Sequence, residues 1–156
     1  MHHTPGAAVP DSGCPFFYKM FRYHTASVSL PIQAAAVCYR MGIGDVEFLL
    51  VRTSSGKWTF PKGCVEPGFS HRQIAAKEAL EEAGVIGSVA ATHLHVYLHP
   101  KGSCKKRSPQ EFAVKAFLLQ VKTLRDPQEV WRKPTWFTAR EAKKSPFLET
   151  GTQICG

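Results

Sequence analysis

Nowhere does the chain run to the roughly 18 consecutive apolar residues that a bilayer-crossing helix needs. Its opening, MHHTPGAAVPDSGCP, lacks the basic-then-apolar order of a secretory leader. A soluble, unexported, cytoplasmic protein is therefore expected. There is no C-x-x-C pair, and the five cysteines, Cys14, Cys38, Cys64, Cys104 and Cys155, are odd in number and scattered. That disfavours both a disulfide framework and a zinc site, and reduced thiols are expected. Internal repeats and low-complexity tracts are missing too. Acidic residues are scarce, 12 against 20 lysines and arginines, for a net charge of +8. Four of the 12, Glu66, Glu78, Glu81 and Glu82, crowd into one short stretch, which leaves the remaining surface more basic still. A basic protein with one concentrated acidic site fits a small polyanionic substrate brought to a cation; a long nucleic acid would more often meet a continuous basic stripe.

What is present suffices for one core. With 156 residues, 44% of them hydrophobic, the chain is too short for two comfortable domains. Residues 1–25 read as a flexible N-terminal arm, within which FFYKMFRYH at 16–24 forms a short strand or a flap, and residues 26–156 read as a single domain. The β-rich runs Ile32 to Arg40 and Val46 to Thr53 flank a Gly-Asp turn and make a hairpin. Trp58 to Phe60 form a brief extended piece before Pro61 turns the chain. Ser70 with Gln73 makes a capping box, so a helix runs from His71 to Ala83 and stops at Gly84. Val85 to Pro100 is β-rich and pairs, around the loop KGSCKKRSPQ, with a long strand from Glu111 to Leu124. After a polar connection at 125–133, TWF at 135–137 forms a short strand, and Thr138 with Glu141 caps a last helix that continues past Pro146. This order predicts an α/β (α+β) layered domain with a mixed sheet, not a doubly wound one.

The chemistry concentrates between Gly63 and Val85, GCVEPGFSHRQIAAKEALEEAGV. Glu78, Glu81 and Glu82, at spacings of three and four, share an arc of roughly 100° on one side of the helix. A structural helix pairs such acids with lysine or arginine four residues away, and none follows them. Four before Glu78 is Ile74, and Ala79 and Ala75 precede Glu82 by three and seven, so the acids extend apolar stripes and point partly inward. Unpaired charge is costly there. A bound hard cation relieves that cost, and magnesium takes oxygen ligands while keeping waters and substrate phosphates.

This stretch resembles the Nudix box, a glycine, five residues, a glutamate, seven residues, then R-E-U-x-E-E-x-G-U with U apolar. Gly63, Glu78, Ala79, Glu81, Glu82, Gly84 and Val85 match in register. The two strands before the box, the W-x-x-P-x-G lead-in at Trp58 to Gly63, Glu66-Pro67 and the Trp-Phe before the last helix are similar to diphosphoinositol polyphosphate and diadenosine polyphosphate hydrolases, across residues 30 to 150. The resemblance implies a Nudix fold, a mixed sheet sandwiched between helices, and Mg2+- or Mn2+-dependent hydrolysis of a diphosphate linkage. It implies further that Glu78 and Glu82 ligate the metal, that Glu81 ligates or supports it, and that the carbonyl of Lys62 completes the site; Glu78 is the first choice for general base. Two positions depart from the pattern. Phe69 replaces the first glutamate and Lys77 the arginine, and Glu66 is the substitute acid for Phe69. Oxidised nucleoside triphosphates are an alternative substrate, and a silent nucleotide-binding sensor is the alternative to an enzyme.

Arg52, Lys57 and Lys62 stand close to the box in sequence and are candidate phosphate ligands. Lys101, Lys105, Lys106 and Arg107 form a cationic hairpin tip, for which two readings stand: a grip on substrate phosphates, or a solubilising loop that protects a sheet edge. Glu111 is a candidate extra carboxylate. Trp58 and Phe60 read as core aromatics. His93, His95 and His99 fall on one face of a strand.

Overall fold

At the centre lies β1 (Ile32–Met41), whose run Gln33 to Cys38 is buried on both faces. The computed structural model describes residues 30, 32–99 and 112–144. The N-terminal arm and its aromatic patch, the cations at 101–107, Glu111 and the stretch beyond residue 144 lie outside the described residues.

Small side chains suit a strand covered on both sides. β2 (Val46–Arg52) returns antiparallel to β1 through the turn at 42–45, and the short β3 (Trp58–Thr59) continues on its outer side. β4 (Lys62–Cys64) comes back to the start of β1, with Lys62 opposite Ala35. One helix, α1 (His71–Ala83), then crosses the sheet. β5 (Val85–Val89) and β6 (His95–His99) both pair antiparallel with the 13-residue β7 (Phe112–Leu124), which lies parallel to β1. Val85 to His99 thus forms two strands where the run Val85 to Pro100 was expected to form one. Ala90 donates to the Leu118 carbonyl and Leu94 to that of Ala116, so residues 91–93 loop out between them. A 3₁₀ turn (Val130–Arg132), β8 (Thr135–Thr138) beside β2, and α2 (Ala139–Lys144) complete the described chain. Thr138 and Glu141 make the expected cap, the Glu141 carboxylate accepting from the Thr138 amide at 2.7 Å. The result is a mixed α+β fold with eight strands and two helices among the described residues.

One core lies between α1 and the sheet. Ile74, Ala75, Ala79 and Ala83 pack on Ala34, Ala36 and Cys38, with Leu49, Val51, Phe117 and Leu119 around them. Alanine against alanine brings the helix close to the strand, and whatever projects from its flank is carried near the backbone of β4.

Burial pushes the Cys38 thiol up to about 12. Cys38, sealed inside the sheet, is a free thiol as expected, whereas Cys64, half-buried on the short β4, is disulfide-bonded, against the expectation of reduced thiols.

Candidate functional site

Both ends of α1 are chemically closed. The Ser70 hydroxyl accepts from the Gln73 amide at 3.2 Å, and the Gln73 side chain accepts from the Ser70 amide at 2.7 Å. At the other end Gly84 takes the left-handed conformation, φ 66°, and its amide reaches Leu80 and Ala79. The helix is therefore held in register, and Glu78 and Glu82, one turn apart, face β4.

Glu82 is 3% exposed. Its Oε2 accepts from the Lys62 amide at 3.2 Å, and Arg132 approaches its Oε1 at 2.6 Å. The Glu78 carboxylate lies over Gly63, and a Cβ on Gly63 would overlap it. Only glycine leaves that position open. Burial raises Glu78 above the usual carboxylate range; Lys77 opposes this and Glu81 and Glu129 add to it. Burial likewise pushes Glu82 up to about 7 against the pull of Arg132, with Glu78 reinforcing the rise.

Glu81 turns away from this pair. Lys77 Nζ lies 3.5 Å from Glu81 and 3.3 Å from Glu66. The acidic face thus divides into an inward pair, Glu78 and Glu82, and an outward chain, Glu81–Lys77–Glu66. This corrects the expectation that the acids lack basic neighbours, because the partner precedes Glu81 by four residues instead of following it. Phe69 is 47% exposed, and it is Glu66 that meets Lys77. Burial lowers the Lys77 pKa, but the Glu66 hydrogen bond and the charges of Glu81, Glu66 and Glu78 together outweigh it, and the net shift is upward.

Arg132 and Glu129 were not expected at the site. Arg132 Nε lies 2.5 Å from Glu129, its Nη1 donates to the Arg52 carbonyl at 3.3 Å, and the Glu129 amide donates to the Glu81 carbonyl at 3.1 Å. Their i,i+3 spacing is visible in sequence, but nothing local connects residues 129–132 with the box; the return of the chain after β7 does so.

The remaining candidates separate. The Arg52 guanidinium lies 3.8 Å from the centre of the Trp58 ring and donates to the Gly56 carbonyl at 2.5 Å. Lys57 is exposed, and Lys62 Nζ donates to the Thr59 hydroxyl at 2.7 Å. Trp58 meets Phe137 edge-on at 5.0 Å and Phe60 packs against the second core cluster, as the core reading expects. The histidines do not act together. His93 sits in the looped-out segment edge-on to Phe117, His95 is exposed and His99 is buried. With Ser70, His71, Arg72 and Lys115, His93 lines a shallow groove of about 280 Å³ at the N-terminal end of α1, away from the acids.

A NUDIX domain family model matches residues 30–153. The asymmetrical bis(5'-nucleosyl)-tetraphosphatase of Sus scrofa is 55% identical over 42 residues, 26% of this chain and 29% of that protein. Its Caenorhabditis elegans counterpart is 40% identical over 62 residues, 38% of this chain and 45% of that protein. The chain thus spans less than half the length of the curated relatives it matches. Among solved structures, C. elegans Ap4A hydrolase superposes with a TM-score of 0.58 at 26% identity, covering 74% of this chain and 86% of that one. The NUDIX domain of Shewanella oneidensis NrtR, complexed with ADP ribose, gives 0.62 at 12% identity over 84% and 89%, a likeness of fold alone. Since the family match takes in the sheet, α1 with its acids and the returning segment that carries Arg132, the chain belongs to the NUDIX domain family.

Proposed function

We propose that the chain is a metal-dependent pyrophosphohydrolase that cleaves the diphosphate linkage of a polyphosphorylated nucleotide, with diadenosine polyphosphates ahead of diphosphoinositol polyphosphates. The observation that carries this reading is the convergence of two carboxylates, the half-buried Glu78 and the buried Glu82, on the backbone at Lys62 and Gly63. Among the described residues no three His, Cys, Asp or Glu side chains gather tightly enough to cage an ion. A pair of carboxylates still fits Mg2+ or Mn2+: magnesium is usually bound through one or two carboxylates, with waters and substrate phosphates filling the shell. The glycine cradle fits as well, since it keeps one of those carboxylates against the backbone. Glu78 and Glu82 would hold the cation, with Glu81, Glu66 and the Lys62 carbonyl as supporting candidates. When bound, the cation supplies charge neutralisation on the diphosphate oxygens and acidity to a water.

The chain's own residues do the rest. Glu78, raised by burial, takes the proton of the attacking water. As the new P–O bond forms, the anhydride P–O bond breaks and the departing phosphate keeps its electron pair. Lys57, and Arg52 and Lys62 on release from their present partners, are placed to hold phosphates. No helix among the described residues is long and apolar enough to cross a membrane.

A second reading, a silent domain that binds nucleotides as a sensor, is favoured by Phe69 in the family's glutamate position and by the Arg132 contact on Glu82. The two are separated by incubating the purified protein with Mg2+ or Mn2+ and ATP, an oxidised dGTP, diadenosine polyphosphates and diphosphoinositol polyphosphates. Turnover should fall at least about 100-fold in Glu82→Gln, because even groups one step removed from a metal are worth 10–100-fold. Tight binding without turnover under either metal would decide for the sensor.

A further inference from the structure

Both oxygens of Glu82 are already engaged. Oε2 accepts from the Lys62 amide and Oε1 meets the Arg132 guanidinium at 2.6 Å, with the Arg132 side chain 19% exposed and that of Glu82 4%. The Lys62 contact is neutral and comes from backbone that β1 pins in place. The Arg132 contact is ionic and comes from a one-turn 3₁₀ segment. If Arg132 lets go of Glu82 it is not stranded, since Glu129 lies 2.5 Å from its Nε and the Arg52 carbonyl accepts from its Nη1. Breaking a buried ion pair is expensive mainly when one partner is left uncompensated, and here both would remain paired: Arg132 with Glu129, and Glu82 with an incoming cation.

We propose that Arg132 sets the metal affinity of the site by competing with the divalent cation for Glu82 Oε1. It acts as a positioning residue on the carboxylate, held ready by Glu129. The inference rests on the metal-site reading given above and adds to it a residue outside the box. A guanidinium offers a planar fork that a lysine ammonium does not, so the competitor's strength depends on its geometry as well as its charge.

The test is titration of the full chain with Mn2+ alone, with free Mn2+ followed by electron paramagnetic resonance. Arg132→Ala should bind Mn2+ about tenfold more tightly than the unsubstituted protein, and Arg132→Lys should fall between them. Equal or weaker binding in Arg132→Ala would overturn the competition and make Arg132 a support of the site. If Arg132→Ala does not fold, Arg132→Lys carries the same comparison, and affinity no higher than that of the unsubstituted protein counts against the proposal. In a chain that already carries Glu82→Gln, adding Arg132→Ala should leave Mn2+ affinity unchanged; a gain of the same size there would place the effect of Arg132 elsewhere than on Glu82 and overturn the competition. Absence of Mn2+ binding in every variant, including Arg132→Ala, would instead overturn the metal-site reading on which the proposal stands.

Discussion

Gly63 and Glu78 are coupled through a missing side chain. A methyl group at 63 would occupy the place of the Glu78 carboxylate, so Gly63→Ala should displace that group and leave the sheet intact. Misplacing a reacting group by about 1 Å can cost on the order of 100-fold; a drop in kcat of about that size, with an unchanged circular dichroism spectrum, is the expected outcome. Glu82 makes a separate prediction. Burial raises it from 4.5 to about 7, so the folded chain holds a proton that the unfolded chain has already lost. Its contribution to stability is full below about 4.5 and falls as pH rises toward about 7. Denaturant unfolding in chelator across that range should show the decline, and Glu82→Gln should remove it; an identical slope in both proteins would mean that Glu82 titrates normally. At this scale the sequence was half legible. Glu78 and Glu82 could be found because helical spacing is local, and Gly63 because its place in the box is fixed. Arg132 lies 50 residues beyond Glu82 and reaches it only through the fold. Lys77 stands four residues before Glu81, the same helical spacing, and pairs with it from the N-terminal side.

Helix α1 shows what local signals can do. Its predicted bounds, His71 to Ala83, are those observed, because Ser70, Gln73 and Gly84 mark the ends by chemistry that needs no distant partner. Gly84→Ala should therefore be costly twice over. It forces an ordinary residue to φ 66°, and its Cβ would overlap the Arg125 carbonyl, so a loss of about 1–3 kcal/mol is expected. Thermal unfolding should read it as a lowered Tm, while Ser70→Ala should cost only about 1 kcal/mol. A neutral Gly84→Ala would show that the helix end can rearrange. The sheet was less legible. The alternation and β-propensity of Val85 to Pro100 run unbroken through Ala90 to Leu94, and nothing in those residues reveals the loop-out. It arises from β7, whose two halves serve different partners on one edge: Phe112 to Ala116 pair with β6, and Leu119 to Leu124 with β5. Such a break belongs to the strand pair, and single-strand patterns do not contain it.

Across the whole molecule, charge is the property that single residues do not convey. The inward pair of acids sits in a chain of net charge +8, so a polyanion is drawn toward the protein as a whole before it meets the site. Field-driven capture is screened by salt, with a Debye length of about 10 Å at 0.1 M, whereas chemistry at the half-buried Glu78 and the buried Glu82 is screened less. For a diadenosine polyphosphate the expected pattern is therefore a KM that rises with ionic strength at nearly constant kcat. Replacing Lys101, Lys105, Lys106 and Arg107 together with alanine removes four of the 20 basic residues and should flatten that rise if the loop grips phosphate. The same substitutions leave the slope steep if the loop serves only to protect a sheet edge and the field comes from the rest of the surface. Steady-state kinetics of the two proteins over a salt series separates these cases, because a grip near the bound phosphates raises KM at every salt concentration when removed, and a solubilising loop does not.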